Sequence, residues 1–159
     1  MIKAIIFDFS RVLLNARDKK YTDSLNALYK KLSQSENFTS LEHFEFNQKL
    51  LDFATGLKEK IGLYIFTTGA IQEDIYFKPI LAGIFKWIFT VEEVGFPKNN
   101  SEAYKVIAKK LSLEPEEILF IDDTEENVTA ASEASLKTVH FVSTDQVIND
   151  IRSSLRGLV

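Results

Sequence analysis

Residues 5–14 read IIFDFSRVLL. The apolar run that ends at Phe7 is short and rich in β-branched residues, as a buried strand requires. Asp8 stands where that strand would leave the core. Two residues further on, in place of a second carboxylate, there is Ser10. What surrounds this stretch decides what Asp8 can do.

Five apolar segments have the length of strands: KAIIF (3–7), GLYIF (62–66), WIFT (87–90), EILFI (117–121) and TVHFV (138–142). They are near-continuous rather than alternating, the pattern of parallel strands covered on both faces. Helical patterns lie between them. FNQKLLDFATGLKEK (46–60) sets Leu50, Phe53, Ala54 and Leu57 on one face, with Gly62 as a stop signal. SEAYKVIAKKL (101–111) carries Ala103, Val106, Ile107 and Leu111 as its stripe, with Ser101 as the expected N-cap. Thr124 opens TEENVTAASEAS, and Ser143 and Gln146 stand at capping-box spacing in STDQVINDIRSSL. This alternation predicts an α/β fold: a doubly wound, Rossmann-like, mostly parallel sheet of five strands in three α/β/α layers. One domain is expected over residues 1–159.

Residues 15–41 break the alternation. YTDSLNALYKKLSQ reads as one amphipathic helix with Leu25, Leu28, Tyr29 and Leu32 inward, and Thr39 and Glu42 have capping-box spacing before a second helix that His43 opens. This segment predicts a minimal helical cap or lid.

Composition narrows the function. The chain is 45% hydrophobic and 26% charged, with net charge −4, an ordinary globular composition without the basic balance that nucleic-acid binding needs. No apolar run is long enough for a membrane span, and the stretch before Asp8 is too short for a secretory h-region. The absence of cysteine excludes disulfides and thiolate metal sites and favours a cytoplasmic location. His43 and His140, lacking partners at metal spacing, read as structural. The aromatic stretch IYFKPILAGIFKWIF (75–89) reads as cover for the sheet.

In a doubly wound sheet, ligands bind beyond the carboxyl ends of the strands. The polar residues there are Asp8, then Thr67, Thr68 and Gly69, then Asp122 and Asp123. Each aspartate alone suits a turn or helix cap. Three together repel one another unless a proton or cation intervenes, and their all-oxygen character suits Mg²⁺. The hydroxyls and backbone N–H groups at 67–69 suit a phosphate, and Lys98, before a helix, can neutralise a nucleophile and developing charge.

These pieces, FDFSRVLL, LYIFTTG, VGFPKNNSEAY and ILFIDDTEENVTAA in that order, resemble the four motifs of the haloacid dehalogenase-like superfamily of hydrolases. The resemblance implies a Mg²⁺-dependent phosphatase. In it Asp8 is the nucleophile, Thr67 the phosphate-binding hydroxyl with Thr68 and Gly69 beside it, and Lys98 the stabilising cation. Asp123 is the metal-binding acid, supported by Asp122, and Asp8 and the backbone carbonyl of Ser10 are further metal ligands. The substrate implied is a small phosphorylated molecule or a phosphorylated macromolecule, and a minimal lid leaves the site open or closed by another subunit.

The chain departs from the family pattern at Ser10, at PKNN (97–100) and at ASL (134–136). Ser10 matters most, because an aspartate there protonates the leaving oxygen and then activates water, typically contributing about 10²- to 10⁴-fold. Three functions therefore stand side by side: a phosphohydrolase of reduced activity, a catalytically weak or inactive phosphate- or partner-binding protein, and carbon–halogen hydrolysis through an aspartyl ester.

Overall fold

The computed structural model describes residues 1–156; residues 157–159, included in the expected single domain, lie outside the described residues. In chain order the elements are β1 (Ala4–Phe7), β2 (Leu14–Ala16), α1 (Leu25–Leu32), α2 (Ser40–His43), β3 (Phe44–Phe46), α3 (Gln48–Thr55), β4 (Gly62–Thr67), α4 (Lys78–Ala82), β5 (Trp87–Thr90), α5 (Val91–Val94), α6 (Ser101–Leu111), β6 (Ile118–Asp122), α7 (Glu125–Glu133), β7 (Lys137–His140) and α8 (Thr144–Ser154). The five predicted strands form one sheet in the order β5-β4-β1-β6-β7, every pairing parallel. The chain leaves β1 toward β4 and β5, then returns to β6 on the other side. That reversal beside β1 makes a crevice at the carboxyl ends of β1 and β6.

The period-two alternation of a strand divides the core into two layers. Ile5, Phe7, Leu63, Ile65, Leu119 and Ile121 pack with α3 and α8 on one face. Ala4, Ile6, Phe66, Ile118 and Phe120 pack with α6 and α7 on the other. Asp8 and Asp122 continue the parity of Ile6 and Phe120, so both carboxylates lean toward this second layer.

Several local expectations are corrected. Asn100, not Ser101, caps α6: its side chain accepts from the Glu102 N–H, and Ser101 is the first helical residue. Thr39 forms no capping box with Glu42, and His43 closes α2 rather than opening a helix. Helix α3 covers only the middle of the predicted 46–60 span, and β6 runs one residue further, taking in Asp122. Ser143 and Gln146 do form their capping box. Within 75–89, Phe77, Phe85 and Phe89 are buried, whereas Trp87 on the edge strand β5 is exposed.

Strands β2 and β3, absent from the sequence reading, pair antiparallel and bracket the chain that carries α1 and α2. Polar contacts hold that segment against the sheet domain. Asn26 of α1 donates to the Thr68 carbonyl (2.9 Å), next to Gly69, whose φ is 81° and whose Cβ position lies 2.6 Å from Asn26 Oδ1. Any side chain at Gly69 meets both backbone strain and Asn26. Deeper in, the buried Asp74 accepts from Tyr29 Oη (2.9 Å), Ser40 Oγ (2.7 Å) and the Tyr76 N–H (2.9 Å). Burial and the Asp74 carboxylate push the Tyr29 phenol up to about 12. No helix among the described residues is long and apolar enough to cross a membrane.

Asp74→Ala orphans the Tyr29 and Ser40 hydroxyls, a loss of about 1–3 kcal/mol. Amide hydrogen exchange across α1 and α2 is expected to quicken about tenfold or more, with β1 and β6 unchanged.

Candidate active site

Asp8 continues the β1 ladder, its N–H donating to the Ile121 carbonyl (2.8 Å), and its side chain is buried. The chain then turns sharply: Leu13 and Leu14 donate back to the Phe9 carbonyl, and Arg11 sits at φ 65° with its N–H on the Leu14 carbonyl (2.7 Å). A non-glycine residue held in this left-handed region costs about 1–3 kcal/mol, which the surrounding bonds offset.

Lys98 reaches the same place from the loop between α5 and α6. It is 6% exposed, and its Nζ lies 2.5 Å from Asp8 Oδ1 and 2.5 Å from Asp122 Oδ2. The ammonium also lies 5.7 Å from the ring centroids of Phe66 and Phe120, within cation–π range. Tyr104 of α6 fixes the loop, donating to the Lys98 carbonyl (2.6 Å) and lying 3.1 Å from the Asn127 carbonyl. Asp122, fully buried, accepts from the Thr124 N–H (2.8 Å) on Oδ1 and from Asn127 (3.1 Å) on Oδ2 beside Lys98.

Asp123 faces outward, half-buried, and its backbone carbonyl lies 2.9 Å from His140 Nε2. One carboxylate oxygen from each of Asp8, Asp122 and Asp123 lies within 4.8 Å of the others. Three acids against Lys98, with Arg11 at the cavity edge, leave an excess of negative charge. Burial, with Asp122 and Asp123 nearby, pushes Asp8 up to about 7 against the pull of Lys98. Burial and Asp122 likewise raise Asp123, opposed by Lys98 and Arg11. Burial works to lower Lys98, but Asp8 and Asp122 outweigh it and the net direction is upward. The carboxylates therefore gain from a further positive charge, and their hard oxygen donors fit a divalent cation such as Mg²⁺.

A cavity of about 450 Å³ opens here, lined by Asp8, Ser10, Arg11, Thr68, Lys98 and Asp123 among others. Thr68 and Ser10 reach it. Thr67 is buried at the end of β4, its hydroxyl donating to the Thr68 carbonyl (3.3 Å), and it does not line the cavity. Asp122 also lies behind the wall, holding Lys98. Ser10 Oγ is buried without a hydrogen-bond partner.

Sequence reasoning passed over Arg11, Asn26, Tyr104 and Asn127. Asn127 had a signal, lying one helical turn beyond Thr124. Tyr104 has one too, as an aromatic residue inside the amphipathic pattern of α6. Arg11 had none, because its left-handed backbone is a product of the folded turn.

A family model of haloacid dehalogenase-like hydrolases matches residues 41–135, and the chain belongs to that family. The Enolase-phosphatase E1 of Aquifex aeolicus (strain VF5) is 34% identical over 90 residues, covering 54% of this chain and 40% of that protein. The Enolase-phosphatase E1 of Persephonella marina is 26% identical over 160 residues, covering 87% of this chain and 69% of its own length. The chain spans only part of these relatives, from 40% of the first to 69% of the second. A haloacid-dehalogenase-family enzyme of Bacteroides thetaiotaomicron, solved with magnesium and inorganic phosphate, superposes with a TM-score of 0.61 at 17% identity, covering 88% of this chain and 94% of that one. At that identity the likeness concerns the fold.

Proposed function

We propose that the chain is a Mg²⁺-dependent phosphohydrolase that works through a phosphoaspartate at Asp8. The observation that carries this reading is the buried Lys98 bridging Asp8 and Asp122 at the switch point of the sheet, with Asp123 facing the cavity beside them. A carboxylate held at a cavity wall by a lysine is a positioned nucleophile. The phosphatase names of the curated relatives and the magnesium and phosphate in the Bacteroides structure support the same reading.

In this mechanism Asp8 attacks phosphorus through a carboxylate oxygen, and the bond from phosphorus to the leaving oxygen breaks. Water then attacks the aspartyl phosphate at phosphorus, releasing phosphate and restoring Asp8. Lys98 offsets charge on Asp8 and on the phosphoryl oxygens. Thr68, which lines the cavity, holds those oxygens, with the N–H of Gly69 next to it in the chain, while Thr67 stays buried behind with its hydroxyl on the Thr68 carbonyl. Asp8, Asp123 and the Ser10 carbonyl would hold Mg²⁺; Asp122 lies within reach but is already engaged by Lys98, Thr124 and Asn127. The cation supplies charge stabilisation for the transferred group. The 15–41 segment acts as a small lid, leaving a cavity suited to a small phosphorylated substrate.

Ser10 supplies no proton at neutral pH, so the leaving oxygen departs unassisted. This one feature also favours the second reading, a weak or inactive phosphate- or partner-binding protein: the residue two places after Asp8 carries a hydroxyl, buried and without a partner, and no carboxylic acid.

With p-nitrophenyl phosphate, Asp8→Asn and chelation of Mg²⁺ are each expected to lower turnover by at least about 10³-fold, as removal of a covalent nucleophile does. Turnover by Asp8→Asn equal to that of the unaltered protein contradicts the mechanism. Ser10→Asp is expected to raise kcat on alkyl phosphates by about 10²-fold while changing aryl phosphates far less; an equal effect on both classes, measured by phosphate release, removes the explanation based on leaving-group protonation.

A further inference from the structure

Two cations line the cavity, and they are differently committed. Lys98 is held between Asp8 and Asp122. Arg11 hydrogen-bonds to neutral acceptors, its Nη2 donating to the backbone carbonyls of Asp23 (2.5 Å) and Tyr21 (3.4 Å), and it acts on Asp123 only through space. Among the described residues no carboxylate lies within ion-pair distance of Arg11, and its Nε and Nη1 donors have no protein partner. The backbone under it is tightly placed, at φ 65° with the N–H on Leu14, three residues from Asp8 in the chain. The guanidinium is therefore a fixed fork at the edge of the cavity, tied to the loop that leads into α1.

We propose that Arg11 selects substrates bearing a second anionic group, a carboxylate or another phosphate, on the portion that leaves from phosphorus. This rests on the phosphohydrolase reading above and adds the substrate class to it. The planar donors of arginine match carboxylate and phosphate oxygens in paired hydrogen bonds. Much of the remaining lining is neutral and polar, with Thr22, Ser24 and Asn26 contributed by the lid segment. Asp23 also lines the cavity and repels anions. The second anion is consequently seated by directed bonds from Arg11, not by a diffuse positive field.

The test compares phosphoglycolate with ethyl phosphate, and propanediol bisphosphate with propyl phosphate, by kcat/KM with Mg²⁺ present. The two pairs separate a carboxylate from a second phosphate as the recognised group. The unaltered protein is expected to favour the doubly anionic member of at least one pair by about tenfold or more. Arg11→Gly, which accepts the same backbone conformation, is expected to bring that ratio close to one, and Arg11→Lys to retain part of it. A ratio unmoved by Arg11→Gly overturns the proposal while leaving the phosphohydrolase reading intact. If no compound is turned over, calorimetric binding of the same four compounds to Asp8→Asn and to the Arg11→Gly/Asp8→Asn double variant decides. An Arg11-dependent preference in Kd upholds anion selection though hydrolysis has failed; equal affinities overturn it.

Discussion

A single lysine ties the two halves of the sheet's switch point together. Lys98 lies buried between Asp8 at the end of β1 and Asp122 at the end of β6, 2.5 Å from each. Burying such charges is expensive unless they are paired and hydrogen-bonded, and removing one partner from such a pair costs about 3–5 kcal/mol. Here the pairing is extended on every side. Thr124 and Asn127 complete the shell of Asp122, Tyr104 holds the Lys98 carbonyl, and Phe66 and Phe120 flank the ammonium. Helices α6 and α7, packed on one face of the sheet, thus deliver the groups that set the position of Asp8.

The same arrangement leaves the centre short of positive charge. One lysine serves two buried aspartates, and Asp123 adds a third acid at the cavity surface. Asp8 responds by moving up to about 7. In the mechanism proposed above, a divalent cation held by Asp8 and Asp123 would lower the proton affinity of Asp8 and favour its carboxylate form. Asp122 lies behind the wall and holds Lys98, while Lys98, Asp8 and Asp123 line the cavity.

Much of this was legible in the sequence because it follows from local pattern. Continuous apolar runs marked all five strands of the main sheet, and a 3.6-residue period marked α6 over its whole length. The capping box of Ser143 and Gln146 was equally local. Errors arose where competing local partners were nearly equivalent: Asn100 and Ser101 are both good caps, and only the folded loop selects the first. The β2–β3 pair was illegible because each strand is three residues long, too short for periodicity to declare. At the site, strand ends marked Asp8, Asp122 and Asp123 as a group. Which of Asp122 and Asp123 meets the lysine was not legible, because Lys98 reaches the strand end from the loop between α5 and α6. Arg11 entered the cavity through a backbone conformation that no propensity for arginine announces.

The most direct measurement is a crystal structure of the protein with Mg²⁺ and beryllium fluoride. A beryllium trifluoride group whose beryllium is bonded to a carboxylate oxygen of Asp8 in tetrahedral geometry, with the ion ligated by Asp8 and Asp123 and Lys98 still against Asp122, is the expected result. An unmodified Asp8 at saturating beryllium fluoride, with no ion on Asp123, contradicts a phosphoaspartate mechanism.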